Sequence, residues 1–220
     1  MGDTFRLATF CAYLVGDYGT IQPAQDFWHA NKFINALKRD EVRGWAEIPI
    51  CLQEARKTLR ETNKQDAFGW FGEIVAAQLN LLEATRLVPV PSSSAMSEKD
   101  VISGSTYELA KEIAARQKVT TVEALLWFAT PMVSAHGKKG TRDAKTLYDA
   151  LVLKKKPAEK PSCVLVDDVA TSLGHLQACE AKLREAGIVV RGALCAGRTV
   201  YDESRPAFGM VEELVAKYVP

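Results

Sequence analysis

Two adjacent carboxylates, Asp167 and Asp168, follow the unbroken apolar run Cys163-Val164-Leu165-Val166 and lead into Val169-Ala170-Thr171-Ser172-Leu173-Gly174-His175. A run of that kind reads as a central strand buried on both faces. Beyond it, Leu176, Cys179 and Leu183 recur at spacings of three and four and stop at Gly187, which predicts an amphipathic helix with a glycine cap. Ile188 to Ala196 reads as a second strand, completing a βαβ unit. Ligands of open α/β sheets bind beyond the carboxyl ends of the strands. Hydroxyls and free amides at the start of the following helix can hold a dianionic phosphate, helped by the helix dipole. Acids one step earlier would repel that phosphate, unless they face hydrogen-bond donors or a cation such as Mg²⁺. The pattern therefore reads as a sugar-phosphate site. Ribose hydroxyls fall to Asp167 and Asp168, with Mg²⁺ reached through ribose or water. The 5′-phosphate falls to Thr171, Ser172 and the amides of Leu173, Gly174 and His175.

Other readings of the same residues are weaker. An acid pair after an apolar strand also opens bacterial receiver domains, but too little chain follows for the further acidic strand end and the lysine they need. A solvated strand end explains the acids and leaves the hydroxyls and the helix start unexplained. A phosphate ester hydrolase lacks its acid-x-acid or metal-ligand set.

The segment Val164-Leu165-Val166-Asp167-Asp168-Val169-Ala170-Thr171-Ser172 resembles the PRPP motif of type I phosphoribosyltransferases (PRPP is phosphoribosyl pyrophosphate). That family usually places glycine, a small residue and threonine after the second hydroxyl residue; here stand Leu173, Gly174 and His175. A leucine supplies its amide but not the conformations glycine reaches freely. Val88-Pro89-Val90-Pro91-Ser92-Ser93 resembles the family's pyrophosphate loop, especially in the ComF-type branch, and extends to Ser94; read alone, its prolines also suit a rigid connector. The run His136-Gly137-Lys138-Lys139-Gly140 with Arg142 stands where the family has its mobile catalytic loop; read alone it is equally a solvated loop. The likeness spans about Arg86 to Thr199, without the cysteine-rich zinc module usual before a ComF core.

The resemblance implies binding of PRPP with Mg²⁺, loss of pyrophosphate, and transfer of phosphoribose to a nitrogen nucleophile such as a nucleobase. Asp167, Asp168, Lys138 and Arg142 would be the catalytic set, and Ser92, Ser93 and Ser94 would receive pyrophosphate. The alternative it leaves open is a non-catalytic PRPP or nucleotide sensor acting through a protein partner. The expected fold is α/β: a mainly parallel sheet of the type I phosphoribosyltransferase kind, helices on both faces, and a helical N-terminal region.

Residues 86–220 are expected to form the α/β core, with strands near Leu87 and from Ala124 to Ala129 and a helix from Ser105 to Arg116. Residues 1–85 read as a mostly helical hood, oligomer contact or partner surface. Phe5 to Val15 suits a strand or a short helix. Phe27, Phe33, Ile34 and Leu37 recur at helical spacing, as do Leu52, Ala55 and Leu59, and then Phe68, Phe71, Ile74 and Leu79. Trp28, Trp45 and Trp70 read as packing residues. From Ser162 the expected order is strand, helix, strand, helix. Tyr201 and Arg205 read as surface residues that a base could touch.

Over 220 residues, 47% hydrophobic and 25% charged composition is that of an ordinary folded domain, and the net charge of +1 provides no global pull toward nucleic acid or anionic membrane. Cys11, Cys51, Cys163, Cys179 and Cys195 contain no C-x-x-C pair, and His29, His136 and His175 lie far from zinc-ligand spacing. No stretch approaches the roughly 20 apolar residues of a membrane span, and Met1 to Arg6 carry no myristoylation pattern. The expectation is a cytoplasmic protein with a small-molecule substrate and no nucleic-acid or membrane partner. A homodimer is compatible with it.

Overall fold

The computed structural model describes residues 3–16, 23–50, 55–81, 86–117, 121–132, 143–154 and 162–220. The chain opens with strand β1 (Thr4–Leu14), helix α1 (Gln25–Leu37), the hairpin strands β2 (Trp45–Pro49) and β3 (Arg56–Arg60), and helix α2 (Asp66–Gln78). Then come β4 (Arg86–Pro89), the short α3 (Glu98–Ile102), α4 (Ser105–Arg116), β5 (Thr121–Val122) and β6 (Leu126–Phe128). The remainder is α5 (Ala144–Ala150), β7 (Leu151–Leu153), β8 (Cys163–Ala170), α6 (Gly174–Glu185), β9 (Val190–Val200) and β10 (Phe208–Ala216).

Six strands form one sheet in the order β10-β1-β9-β8-β4-β5, parallel except for the antiparallel edge strand β10. Its central strands are apolar because each buries both faces. Val164 and Val166 of β8 and Leu194 and Ala196 of β9 point into a core shared with α1, α2 and α4. Leu165, Ala193 and Cys195 point the other way, into a core closed by α5, α6 and the two-stranded ribbon of β6 and β7. Helices thus cover both faces, as expected. Helix α4 occupies the expected Ser105 to Arg116 and turns Leu109, Ala110 and Ile113 inward. Gly72 lets α2 lie close on α4, since a Cβ there would sit 2.6 Å from the carbonyl oxygen of Glu112. At the end of α6, Gly187 takes φ of 77°, and its amide returns to Arg184 (2.9 Å) as that of Ile188 returns to Leu183 (3.0 Å), the anticipated glycine cap.

Several elements differ from the expectation. The first strand belongs to the central sheet, so the sheet draws on both sides of the division expected at residue 86. The helical spacing of Leu52, Ala55 and Leu59 does not become a helix at Leu59. Leu59 lies in β3 opposite Ala46, and Ala46, Ile48 and Leu59 turn inward with the period-two alternation of a hairpin; Leu52 is outside the described residues. The expected final helix is instead strand β10, because the free edge of β1 offers a ladder from Thr4↔Ala216 to Cys11↔Phe208 that local propensity does not encode. Trp70 is buried as expected, whereas Trp28 and Trp45 are each 43% exposed. The described cysteines, Cys11, Cys163, Cys179 and Cys195, are buried free thiols, and burial pushes Cys163 up to about 12, consistent with apolar packing roles.

Candidate functional site

The site follows from where the chain changes direction across the sheet. After β4 the chain passes to α4 on one face and to β5 on the outer side; after β8 it passes to α6 on the opposite face and to β9 on the other side. The carboxyl ends of β4 and β8 therefore flank a topological switch point, where open α/β sheets leave a crevice. The ladder between them stops at Pro89↔Val166, with the amide of Val90 still donating to Val166 (2.9 Å). Strand β8 continues to Ala170 against β9 alone, so the acids lie within the strand where β4 has already peeled away.

A cleft of about 260 Å³ fills that position. Its walls include Pro91, Ser92 and Ser93 beyond β4, Ser105 and Thr106 at the start of α4, and Asp167 to Leu173 with His175 on the β8 side. The amino ends of two helices, α4 and α6, thus open on one crevice with an acid pair between them. Helix amino ends carry unpaired N–H groups and partial positive charge, which suits a ligand with two anionic ends.

Asp167 is buried, and its Oδ1 accepts the N–H of Asp168 (2.9 Å). Asp168 is half-buried, its Oδ1 accepting the N–H of Val169 (2.7 Å). Burial first, and then the adjacent charge of Asp168, push the Asp167 carboxyl well above the usual carboxylate range; the positive charge of Lys38 pulls weakly the other way.

The loop from Thr171 to Leu173 is held from behind. Arg198 Nη1 donates to the carbonyl oxygens of Ala170 (2.9 Å) and Thr171 (2.5 Å), and its Nε donates to Glu213 Oε1 (2.8 Å). The hydroxyls of Thr171 and Thr199 lie 2.9 Å apart. Leu173 caps α6 in the left-handed conformation, with φ of 66° and ψ of −17°. That position, a glycine in the motif this segment resembles, thus takes a glycine-like backbone with a leucine in it. The His175 ring packs against Phe128 at 5.5 Å, and its Nε2 is shut from solvent with no hydrogen-bond partner among the described residues. Burial lowers His175 to about 4, so the ring is neutral at pH 7.

Of the sequence candidates, Asp167, Asp168, Thr171, Ser172, Leu173, His175, Ser92 and Ser93 all line this one cleft. Gly174 is buried behind it, and Ser94 reaches it only through Ser92, their hydroxyls 3.3 Å apart. Lys138 and Arg142 lie outside the described residues, as does His136. Tyr201 is 71% exposed, and Arg205 lies 3.7 Å from Glu213. Sequence reasoning missed Lys38, which lines the cleft from the end of α1, the wall residues Ser105 and Thr106, and the brace formed by Arg198 and Thr199. Only Ser105 carried a signal, as the expected start of α4.

No group of three or more His, Cys, Asp or Glu side chains able to hold a metal ion occurs among the described residues. No helix of the described residues is long and apolar enough to cross a membrane. No protein-family model matches the chain, and no curated protein matches it.

Proposed function

We propose that this protein is a phosphoribosyltransferase of the type I kind, which binds PRPP with Mg²⁺ and transfers phosphoribose to a nitrogen nucleophile, releasing pyrophosphate. The observation that carries the reading is the acid pair set between two helix amino ends in a single switch-point crevice. Asp167 and Asp168 take the ribose hydroxyls. Thr171, Ser172 and the amides at the start of α6 take the 5′-phosphate, while Ser92, Ser93 and the start of α4 take the pyrophosphate. Mg²⁺ in such sites is carried by substrate phosphates and one or two carboxylates, with water completing its shell. A half-buried Asp168 lining the cleft fits that donor set.

In the reaction the bond from C1′ to the pyrophosphate oxygen breaks, a C1′–N bond forms, and the nucleophile gives up its N–H proton. Positive charge builds on the ribose as the leaving group departs, so carboxylates at the ribose and donors at the pyrophosphate both gain strength in the transition state. Incubating the protein with PRPP, Mg²⁺ and a panel of nucleobases tests this, with base-dependent pyrophosphate release as the expected result. Tight PRPP binding with no release for any base would favour the second reading, a PRPP or nucleotide sensor acting through a protein partner. His175 favours that reading, because a neutral ring shut against Phe128 stands where the motif usually supplies a threonine hydroxyl.

A further inference from the structure

Helix α4 starts without a side-chain cap. Ser97 caps α3 and Asp143 caps α5, accepting the amides of Asp100 and Thr146. At α4 the cap position is Gly104, and no side chain among the described residues caps it. An uncapped amino end leaves its first amides to solvent or to a ligand, and Ser105 and Thr106 of that end line the cleft. The cleft is marked as a ligand site independently of either helix, by the buried Asp167 and by His175, whose Nε2 is sealed without a partner among the described residues.

Glu108 works against an anion at this end. It stands in the first turn of α4, three residues on from Ser105 and on the same side of the helix. That separation is about 4.5 Å along the axis, well inside the roughly 10 Å over which 0.1 M salt screens a charge. Arg39 answers it from the turn that ends α1. Its Nη2 donates to Glu108 Oε2 (2.6 Å), and its Nη1 to the carbonyl of Ser103 (3.1 Å), just ahead of Gly104. Thr106 ties the same end from within, its hydroxyl donating to the carbonyl of Val90 (2.9 Å). The start of α4 is thus fixed both to the segment that carries Ser92 and Ser93 and to the end of α1.

Arg39 holds its place against local preference. Its amide returns to Ala36 (2.9 Å) and that of Asp40 to Asn35 (2.8 Å), a Schellman closure whose left-handed position is normally glycine. Arg39 fills that position at φ of 65°. A Cβ costs more in this conformation than an ion pair exposed by 44% and 40% usually returns. Stability therefore gives arginine no clear advantage over glycine here.

Resting on the transferase reading, in which the start of α4 takes pyrophosphate, we infer that Arg39 is the positioning residue of that half of the site. It withdraws the Glu108 charge from the approaching anion and fixes the amino end of α4 against the cleft. The ligand it serves is the diphosphate, not the 5′-phosphate at α6.

Inorganic pyrophosphate and ribose 5-phosphate separate the two ends. Calorimetry on the full chain, with Mg²⁺ at low salt, should show Arg39→Gly binding pyrophosphate about fivefold more weakly. Ribose 5-phosphate should move less than twofold. Adding Glu108→Gln should restore most of the loss, since no charge remains to shield, and high salt should bring the variants together. Glycine suits the left-handed backbone, so urea unfolding should find Arg39→Gly no less stable than the parent. A merely structural pair would lower stability, with no rescue by Glu108→Gln. Pyrophosphate affinity unchanged in Arg39→Gly, or a loss shared equally by ribose 5-phosphate, would overturn the assignment. The expected pattern without base-dependent release from PRPP keeps Arg39 and removes the transferase reading. A parent that releases pyrophosphate from PRPP, beside an Arg39→Gly variant of equal affinity, removes Arg39 alone. A parent that binds no pyrophosphate removes both.

Discussion

Arg198 of β9 donates from Nη1 to the main-chain carbonyl of Thr171, the residue that opens the loop ahead of α6. The same nitrogen also holds Ala170, and Glu213 fixes the guanidinium from the far side. With its carbonyls drawn backward, the loop's position in front of α6 is fixed. A rigid fork of donors does this where a single flexible ammonium does not.

Arg198→Lys should therefore raise the KM for PRPP about tenfold or more, the scale of one lost hydrogen bond to a charged donor. The KM for the nucleobase should move less than twofold, since Arg198 bonds the loop ahead of α6 and Glu213. Steady-state kinetics with each substrate varied in turn checks the split. A merely structural role would disturb both constants or neither.

Leu173 makes a stability prediction independent of function. At an ordinary helical position alanine is more stable than glycine by about 0.5–1 kcal/mol. In the left-handed conformation a Cβ costs roughly 1–2 kcal/mol, so the order reverses: Leu173→Gly should be more stable than Leu173→Ala by about 1 kcal/mol. Both substitutions remove the same side-chain packing, so the comparison isolates the backbone. Urea unfolding of the two variants reads it, and an alanine variant equal to or better than glycine would show that the position is not left-handed.

Asp167 costs stability where it is ionised. Its folded carboxyl is raised above the ordinary 3.8 by burial and by Asp168. For an acid shifted upward, stability is fully present below the unfolded value and is lost as pH rises through the folded value. Asp167→Asn keeps an oxygen to accept the Asp168 amide and removes the charge. It should stabilise the protein at pH 8 by roughly 1–2 kcal/mol, with the gain fading toward pH 4, while PRPP binding falls sharply. Thermal melts across that range check the sign; a variant less stable at pH 8 would contradict the buried placement.

The β8-α6-β9 unit was legible because each of its signals is local. A four-residue apolar run, a three-and-four spacing and a closing glycine need no distant partner to be recognised. The cleft was half legible for the same reason: Ser92, Ser93 and the stretch from Asp167 to His175 sit at strand ends that the hydrophobic pattern marks. Lys38 and Arg198 were not, since each reaches the site through tertiary contacts to segments far away in the chain. Strand β10 was misread as a helix because only the exposed edge of β1 makes it a strand. Leu173 shows the converse: its departure from the motif was visible, but that the backbone keeps the glycine-like turn was not.

The most direct test of the ribose-phosphate site is a calorimetric titration of the folded protein with PRPP, in the presence and absence of Mg²⁺. Binding that requires the metal and disappears in the Asp167→Asn, Asp168→Asn double variant is the expected result. No binding by a demonstrably folded protein, or a double variant that binds as the parent does, would contradict the assignment of the acid pair to ribose.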